Sequence, residues 1–250
     1  MHTDKIPVST IDGIQMVEEL DLYLVENGLK PAALITLDTA QFDEGFGISR
    51  VGDKREIITD DDLELSDSTI TQFDNYLTRR GFVYQTLGRG SKPITNERGK
   101  KLSADYSHLA VARNQEDLEK LVLAYNNINQ DEASVGDALG FPRDATEAFN
   151  KEIDGEKRNG DYCTISLAKA IQAGIKLPTW LAYMGHVPGQ LDLVNDDVSA
   201  SSREQSERYQ AFVREHNPDL ARRVEEHFAS KKPPTSLRKD PEHGMILTYR

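Results

Sequence analysis

The sequence predicts an α/β (α+β) N-terminal part with a small sheet, followed by a mostly α-helical C-terminal half. Three observations predict it. Up to about residue 130, short apolar runs rich in β-branched residues alternate with stripes of helical period, the pattern of a sheet with helices packed on it. Beyond residue 130, short segments of helical period follow one another. Only MILTYR (245–250) reads there as an edge strand.

The elements follow in order. Thr10 and Asp12 can cap a helix to about Asn27, with Ile14, Val17, Leu20, Leu24 and Val25 as its apolar stripe and Gly28 as its stop. AALITL (32–37) reads as a buried strand. Residues 38–67 read as an acidic loop. Ser66 or Asp67 caps a second helix to Arg80, and Gly81 ends it. FVYQTL (82–87) is a strand, LGRGSKPITNERGKK (87–101) a loop, and HLAVAR (108–113) a third strand. Asn114 caps a helix from about Gln115 to Asn127.

DEASVGDALG and PRDATEAFNKEI then form two short helices with Gly140 in the turn. DGEKRNGD (154–161) is a polar hinge. SLAKAIQAG and LPTWLAYMGH are two further short helices. Ser199 or Ser201 starts a helix to about His216, Pro218 opens another to about Phe228, and SKKPPTSLRKDPEHG reads as a linker. The domain reading is an α/β domain over 1–130, a helical region over 131–230, and a linker with a possible edge strand over 231–250.

The chain has 250 residues, 38% hydrophobic and 29% charged, which suits a folded protein rather than a disordered one. No apolar run approaches the ~18 residues that span a bilayer, and the N-terminus lacks a signal-type stretch. One cysteine, Cys163, cannot form an internal disulfide, so a reducing compartment, the cytoplasm, is expected. The net charge is −12. Residues 1–130 hold 22 acidic against 14 basic side chains, and residues 131–250 hold 20 against 16. Such a balance disfavours tight, sequence-specific binding of duplex DNA.

Four features bear on chemistry. Asp131–Ile153 has helix-turn-helix spacing, and its second helix sets Arg143 and Lys151 against Asp144, Glu147 and Glu152. A helix with that balance repels phosphate, so packing competes with base reading. The 88–101 loop carries Arg89, Lys92, Arg98, Lys100 and Lys101 against Glu97. Arg89, Lys92, Lys100 and Lys101 are its anion-binding candidates, although the spacing is not that of a P-loop. His186 lies at a helix end in WLAYMGHVPG, where it could be a ligand or a general base. Asp60, Asp61 and Asp62 are adjacent, and neighbours in an extended chain point in alternate directions, so they read as solvated. His108 opens a strand and reads as structural. No metal and no cofactor is expected, since thiolate pairs, H-E-x-x-H and Walker spacings are absent.

The run HLAVARNQEDLEKLVLAYNN…VGDALGFPRDATEAF resembles an uncharacterised, mainly archaeal family known as domain of unknown function 483. Its members place a strand and a helix before Gly-x-x-Leu-Gly-Tyr-Pro-x-Cys-Cys-x-x-x-Phe. Gly136, Leu139, Gly140, Phe141, Pro142 and Phe149 stand in those places, with Ala145 near the cysteine pair. Members then carry His-x-Pro-Cys and a serine. His186, Pro188 and Gly189 align with these, and Ser201 or Ser202 matches the serine. The resemblance spans roughly residues 105–230. It implies a scaffold without the thiolates that would hold a metal or cluster. It also implies that ALGFP and YMGHVP approach each other, leaving a cleft that Arg143, Asp144, Tyr183 and His186 could line.

The leading expectation is a non-catalytic accessory protein that binds a small molecule or a protein partner. One alternative is a helix-turn-helix transcription regulator. Another is an enzyme acting on a phosphorylated substrate with His186 as general base.

Overall fold

The computed structural model describes residues 11, 14–39, 61–95, 99–127, 132–143, 146, 180, 199–230, 236–240 and 244–248. The chain forms two compact units, one of residues 1–43 and 54–126, the other of residues 44–53 and 127–250.

In the first unit the order is α1 (Met16–Glu26), β1 (Ala32–Asp38), α2 (Asp67–Arg79), β2 (Val83–Thr95), β3 (Lys101–Ala112) and α3 (Gln115–Asn126). The strands form one antiparallel sheet in the order β1-β3-β2. The predicted α+β class is thus what the chain adopts.

Helix ends follow local chemistry. The Ser66 hydroxyl accepts from the Thr69 N–H (3.1 Å) and caps α2. Asn114 accepts from the Asp117 N–H (2.9 Å) and does the same for α3. Gly81 has φ 71°, and the Phe82 and Gly81 N–H groups donate to Leu77 and Thr78 carbonyls. This left-handed stop is available to glycine with no Cβ penalty.

Strand period then divides the sheet into two faces. One carries Ala33, Ile35 and Leu37 of β1 and Leu109 and Val111 of β3. With Leu22 and Val25 of α1, Phe73 and Leu77 of α2, and Phe82, they form the main core. On the other face Ala32, Ala110 and Ala112 are fully buried. Their small side chains let α3 cover that end, with Leu118, Leu121 and Ala124 turned inward.

Two expectations are corrected here. Residues 87–95 are strand and not loop: β2 runs on to Thr95, and β3 begins at Lys101, seven residues before the predicted start. Polar residues and glycines make up most of this arm, and its few buried apolar residues lie at its far end, so it lacks the sustained hydrophobic alternation of a half-buried strand. It is held by the ladder to its neighbour and by a small distal cluster of Ile94, Leu102 and Ala104, joined by Leu63. Leu63 bridges Ala104 in parallel, and Asp62 accepts from the Ser103 N–H (2.7 Å), so this aspartate is tied to the sheet.

In the second unit the described elements are α4 (Glu132–Ala138), α5 (Ser199–His216), α6 (Pro218–Ser230), β4 (Ser236–Asp240) and β5 (Gly244–Thr248). The second correction lies here. Residues 236–240, read as linker, form a strand antiparallel to β5, because two short extended segments satisfy each other's backbone groups.

Gly140 (φ 79°) ends α4 as the turn requires. The Phe141 N–H donates to the Gly136 carbonyl and the Gly140 N–H to that of Asp137. The Thr146 hydroxyl, on a residue 2% exposed, donates to the Asp137 carboxylate and to the Arg143 carbonyl, each at 2.9 Å, and so turns back onto α4. The Gln205 side chain of α5 donates to the Gly140 carbonyl (2.7 Å) and to the Tyr209 hydroxyl (2.9 Å). Between α5 and α6, the Asn217 side chain accepts from the Leu220 N–H (3.2 Å).

Glu225 of α6 receives the Arg214 guanidinium (2.8 Å), the Gln210 amide (3.2 Å) and the buried Trp180 indole (3.3 Å). Burial alone would push this carboxyl up. The three donors and the Arg214 charge outweigh it and hold Glu225 below the usual carboxylate range.

Candidate functional site

The second face of the sheet has another end, away from α3. There the register lines up Thr36, His108 and Gly88, then Asp38, Tyr106 and Gly90, with Lys92 opposite Ala104. Strand period puts all of these side chains on one face. Five polar or aromatic groups therefore share a patch that no single stretch of sequence contains.

The patch is ordered by contacts. The Thr36 hydroxyl and His108 Nδ1 share a 3.0 Å hydrogen bond. The Tyr106 and His108 rings lie 4.8 Å apart, tilted by 49°. Lys92 and Asp38 form an ion pair across β3, with Asp38 nearly buried and Lys92 about one-third exposed. Gly90 leaves room for the phenol: a Cβ there would stand 2.9 Å from the Tyr106 hydroxyl oxygen and 3.1 Å from the ring carbon bearing it. The tyrosine thus lies along bare backbone, the usual reason for a strand glycine.

His108 is half-buried. Burial lowers its affinity for a proton, Asp38 raises it and Lys92 lowers it, and the net shift is below the ordinary histidine value. Burial thus favours the uncharged ring. Thr36 occupies Nδ1, while Nε2 and the Tyr106 hydroxyl meet no hydrogen-bond partner among the described residues. A neutral imidazole with one nitrogen fixed can offer the other as donor or acceptor, according to tautomer.

The anion-binding candidates do not converge. Lys92 faces the patch and is engaged by Asp38. Arg89 pairs with Ser107 and Lys101 with Thr95, so both stand on the opposite face, while Lys100 precedes β3. Arg89, Lys100 and Lys101 are exposed. Gly88 and Gly90 belong to a strand rather than a phosphate-cradling loop. Also on that opposite face, Asp105 accepts from the Ser91 hydroxyl (2.6 Å) and the Leu65 N–H (3.2 Å), which hold it below its usual range.

Of the proposed cleft, Arg143 is exposed just beyond the Gly140 turn. Asp144, Tyr183 and His186 lie outside the described residues, as does Cys163. Among the described residues no group of three or more histidine, cysteine or acidic side chains is placed to hold a metal ion, and no helix is long and apolar enough to cross a membrane.

Sequence reasoning missed Tyr106, Thr36 and Asp38 and took His108 as structural. The available signal was Tyr-x-His at strand spacing together with Gly-x-Gly (88–90). It stayed silent because both segments read as loop or loop border. No family model matches the chain, and neither a curated protein nor a solved structure matches it, so the resemblance over residues 105–230 rests on its quoted motif alone.

Proposed function

We propose that this chain is a non-catalytic, cytoplasmic small-molecule-binding protein that meets its ligand on the end of the sheet face away from α3, at Tyr106 and His108. One observation carries this reading: His108 is half-buried and tethered by Thr36, and among the described residues its Nε2 meets no partner, beside a Tyr106 hydroxyl that meets none there either. Half-buried polar groups normally find partners within the fold, so a pair left over on one surface supports an external one. The cytoplasmic part of the reading rests on the lone Cys163.

Histidine-selective nitrogen-15 labelling of the full chain tests it. Neutral, anionic and cationic metabolites are added in turn. A saturable shift of His108 Nε2 with one class, abolished in Tyr106→Ala, is the expected result. No shift with any class refutes the reading.

The regulator alternative fares less well. Thr146, at a position where a second helix would read bases, is buried against Asp137. Among the described residues there Arg143 is the exposed one, and the chain's charge of −12 opposes phosphate. Nanomolar, sequence-selective duplex binding lost in Arg143→Ala would restore it.

A further inference from the structure

We infer that the ligand of this face is an uncharged polyhydroxylated ring, a saccharide, stacked on Tyr106 and hydrogen-bonded by His108 and the Asp38–Lys92 pair. The inference rests on the binding reading above and adds the ligand's chemistry.

Charge is the first argument. Among the described residues on this face the cation is Lys92, and Asp38 already neutralises it. Burial favours the uncharged form of His108, and Arg89 and Lys101 stand on the other side of the hairpin. A phosphate or carboxylate would find no unengaged cation among the described residues here, in a chain of net charge −12. A cationic ligand would have to compete with Lys92 for Asp38. The local balance suits a neutral molecule.

Shape is the second. Tyr106 lies along Gly90 with its phenolic end against backbone, and its neighbours on β2 at the same face are Gly88 and Lys92. Nothing lies within 4 Å of where a Gly88 Cβ would stand. Two glycines on the edge strand thus leave a shallow platform beside an aromatic ring. Aromatic faces attract polarised C–H groups and flat rings.

The donor and acceptor set is the third. Asp38 accepts, Lys92 donates, the phenol does both, and His108 Nε2 does either. A ring bearing several hydroxyls matches such a mixed, uncharged rim. A nucleobase would also stack, but in cells it is carried on phosphates, which this face does not accommodate.

Ring-proton spectra of the full chain, recorded with D-glucose, D-galactose, D-mannose and N-acetyl-D-glucosamine, test the assignment. Saturable shifts of the Tyr106 and His108 signals with at least one of them are expected. Tyr106→Phe should keep the stacking shifts and weaken binding several-fold, whereas Tyr106→Ala should weaken it about tenfold or more. Unchanged methyl dispersion in Tyr106→Phe shows that the fold is retained. If uridine or adenosine monophosphate shifts these signals and no sugar does, the saccharide assignment falls while the binding site stands. If neither sugars, nucleotides nor the wider metabolite panel shift them, both fall.

Discussion

Replacing Gly90 by alanine separates the platform from the fold. The added Cβ would lie 2.9 Å from the Tyr106 hydroxyl oxygen and 3.1 and 3.4 Å from two ring carbons. Ordinary contact between such atoms is about 3.5–4.0 Å, so the phenolic end must retreat by about half an ångström. The obstacle is the far end of a side chain, not backbone, and Gly90 does not hold a left-handed φ. Pushing Tyr106 off its rotamer costs about 0.5–1.5 kcal/mol. The loss of unfolded-state freedom on Gly→Ala offsets about 0.4–1 kcal/mol of that. The net change should be within about 1 kcal/mol, or within about 4 °C in Tm for a chain of this size. The His108 ring-proton shifts, which sense a tyrosine 4.8 Å away, should nonetheless move, and ligand affinity should fall. Gly88→Ala is the control: its Cβ meets open space, and the His108 signals should stay where they are. A loss above about 2 kcal/mol in Gly90→Ala, beyond the off-rotamer and entropy terms just combined, or unmoved His108 signals, would refute the placement of Tyr106 on Gly90.

Further outcomes follow from other contacts. Ser66→Ala removes the acceptor of the Thr69 N–H at the start of α2 and should cost about 0.5–2 kcal/mol in urea unfolding, with Ser66→Asp retaining most of it. Gly140→Ala forces a Cβ into a left-handed turn and should cost about 1–2 kcal/mol; a neutral result would mean that the turn is not at Gly140. His108 has a folded-state pKa below its unfolded value, so the unfolded chain binds the proton more readily. The stability it contributes is complete above about pH 6.5 and is lost as pH falls through the lowered folded value. His108→Asn should flatten that limb of the stability profile, and an unchanged slope would contradict the burial of the ring.

Much of the fold was legible locally because capping and left-handed stops depend on a few adjacent residues. Ser66 and Asn114 start helices where their side-chain oxygens reach the N–H three residues on. Gly81 and Gly140 end or break helices where a positive φ is needed. The AALITL run placed β1, and Gly28 placed the end of α1, but α1 starts at Met16 behind Gln15, which makes no side-chain cap, and not at the expected Thr10 or Asp12, which lie outside the described residues. The distal arm of β2–β3 was not legible. Its residues carry little hydrophobic pattern, and its strand character comes from a partner strand.

The amino-acid sequence by itself determined the class of the protein, most of its helix ends and its strongly negative charge, since these depend on composition and on neighbours along the chain. Tertiary structure alone decided the candidate site. Thr36 and His108 are 72 residues apart and meet through the β1–β3 register. Lys92 reaches Asp38 across 54 residues, and Tyr106 is seated by a glycine on the adjoining strand. A shift of one residue in either register would send these side chains to the opposite face, because strand side chains alternate with period two. Register depends on cross-strand hydrogen bonds and on the apolar face packed against α1 and α2, which no local window of the sequence contains.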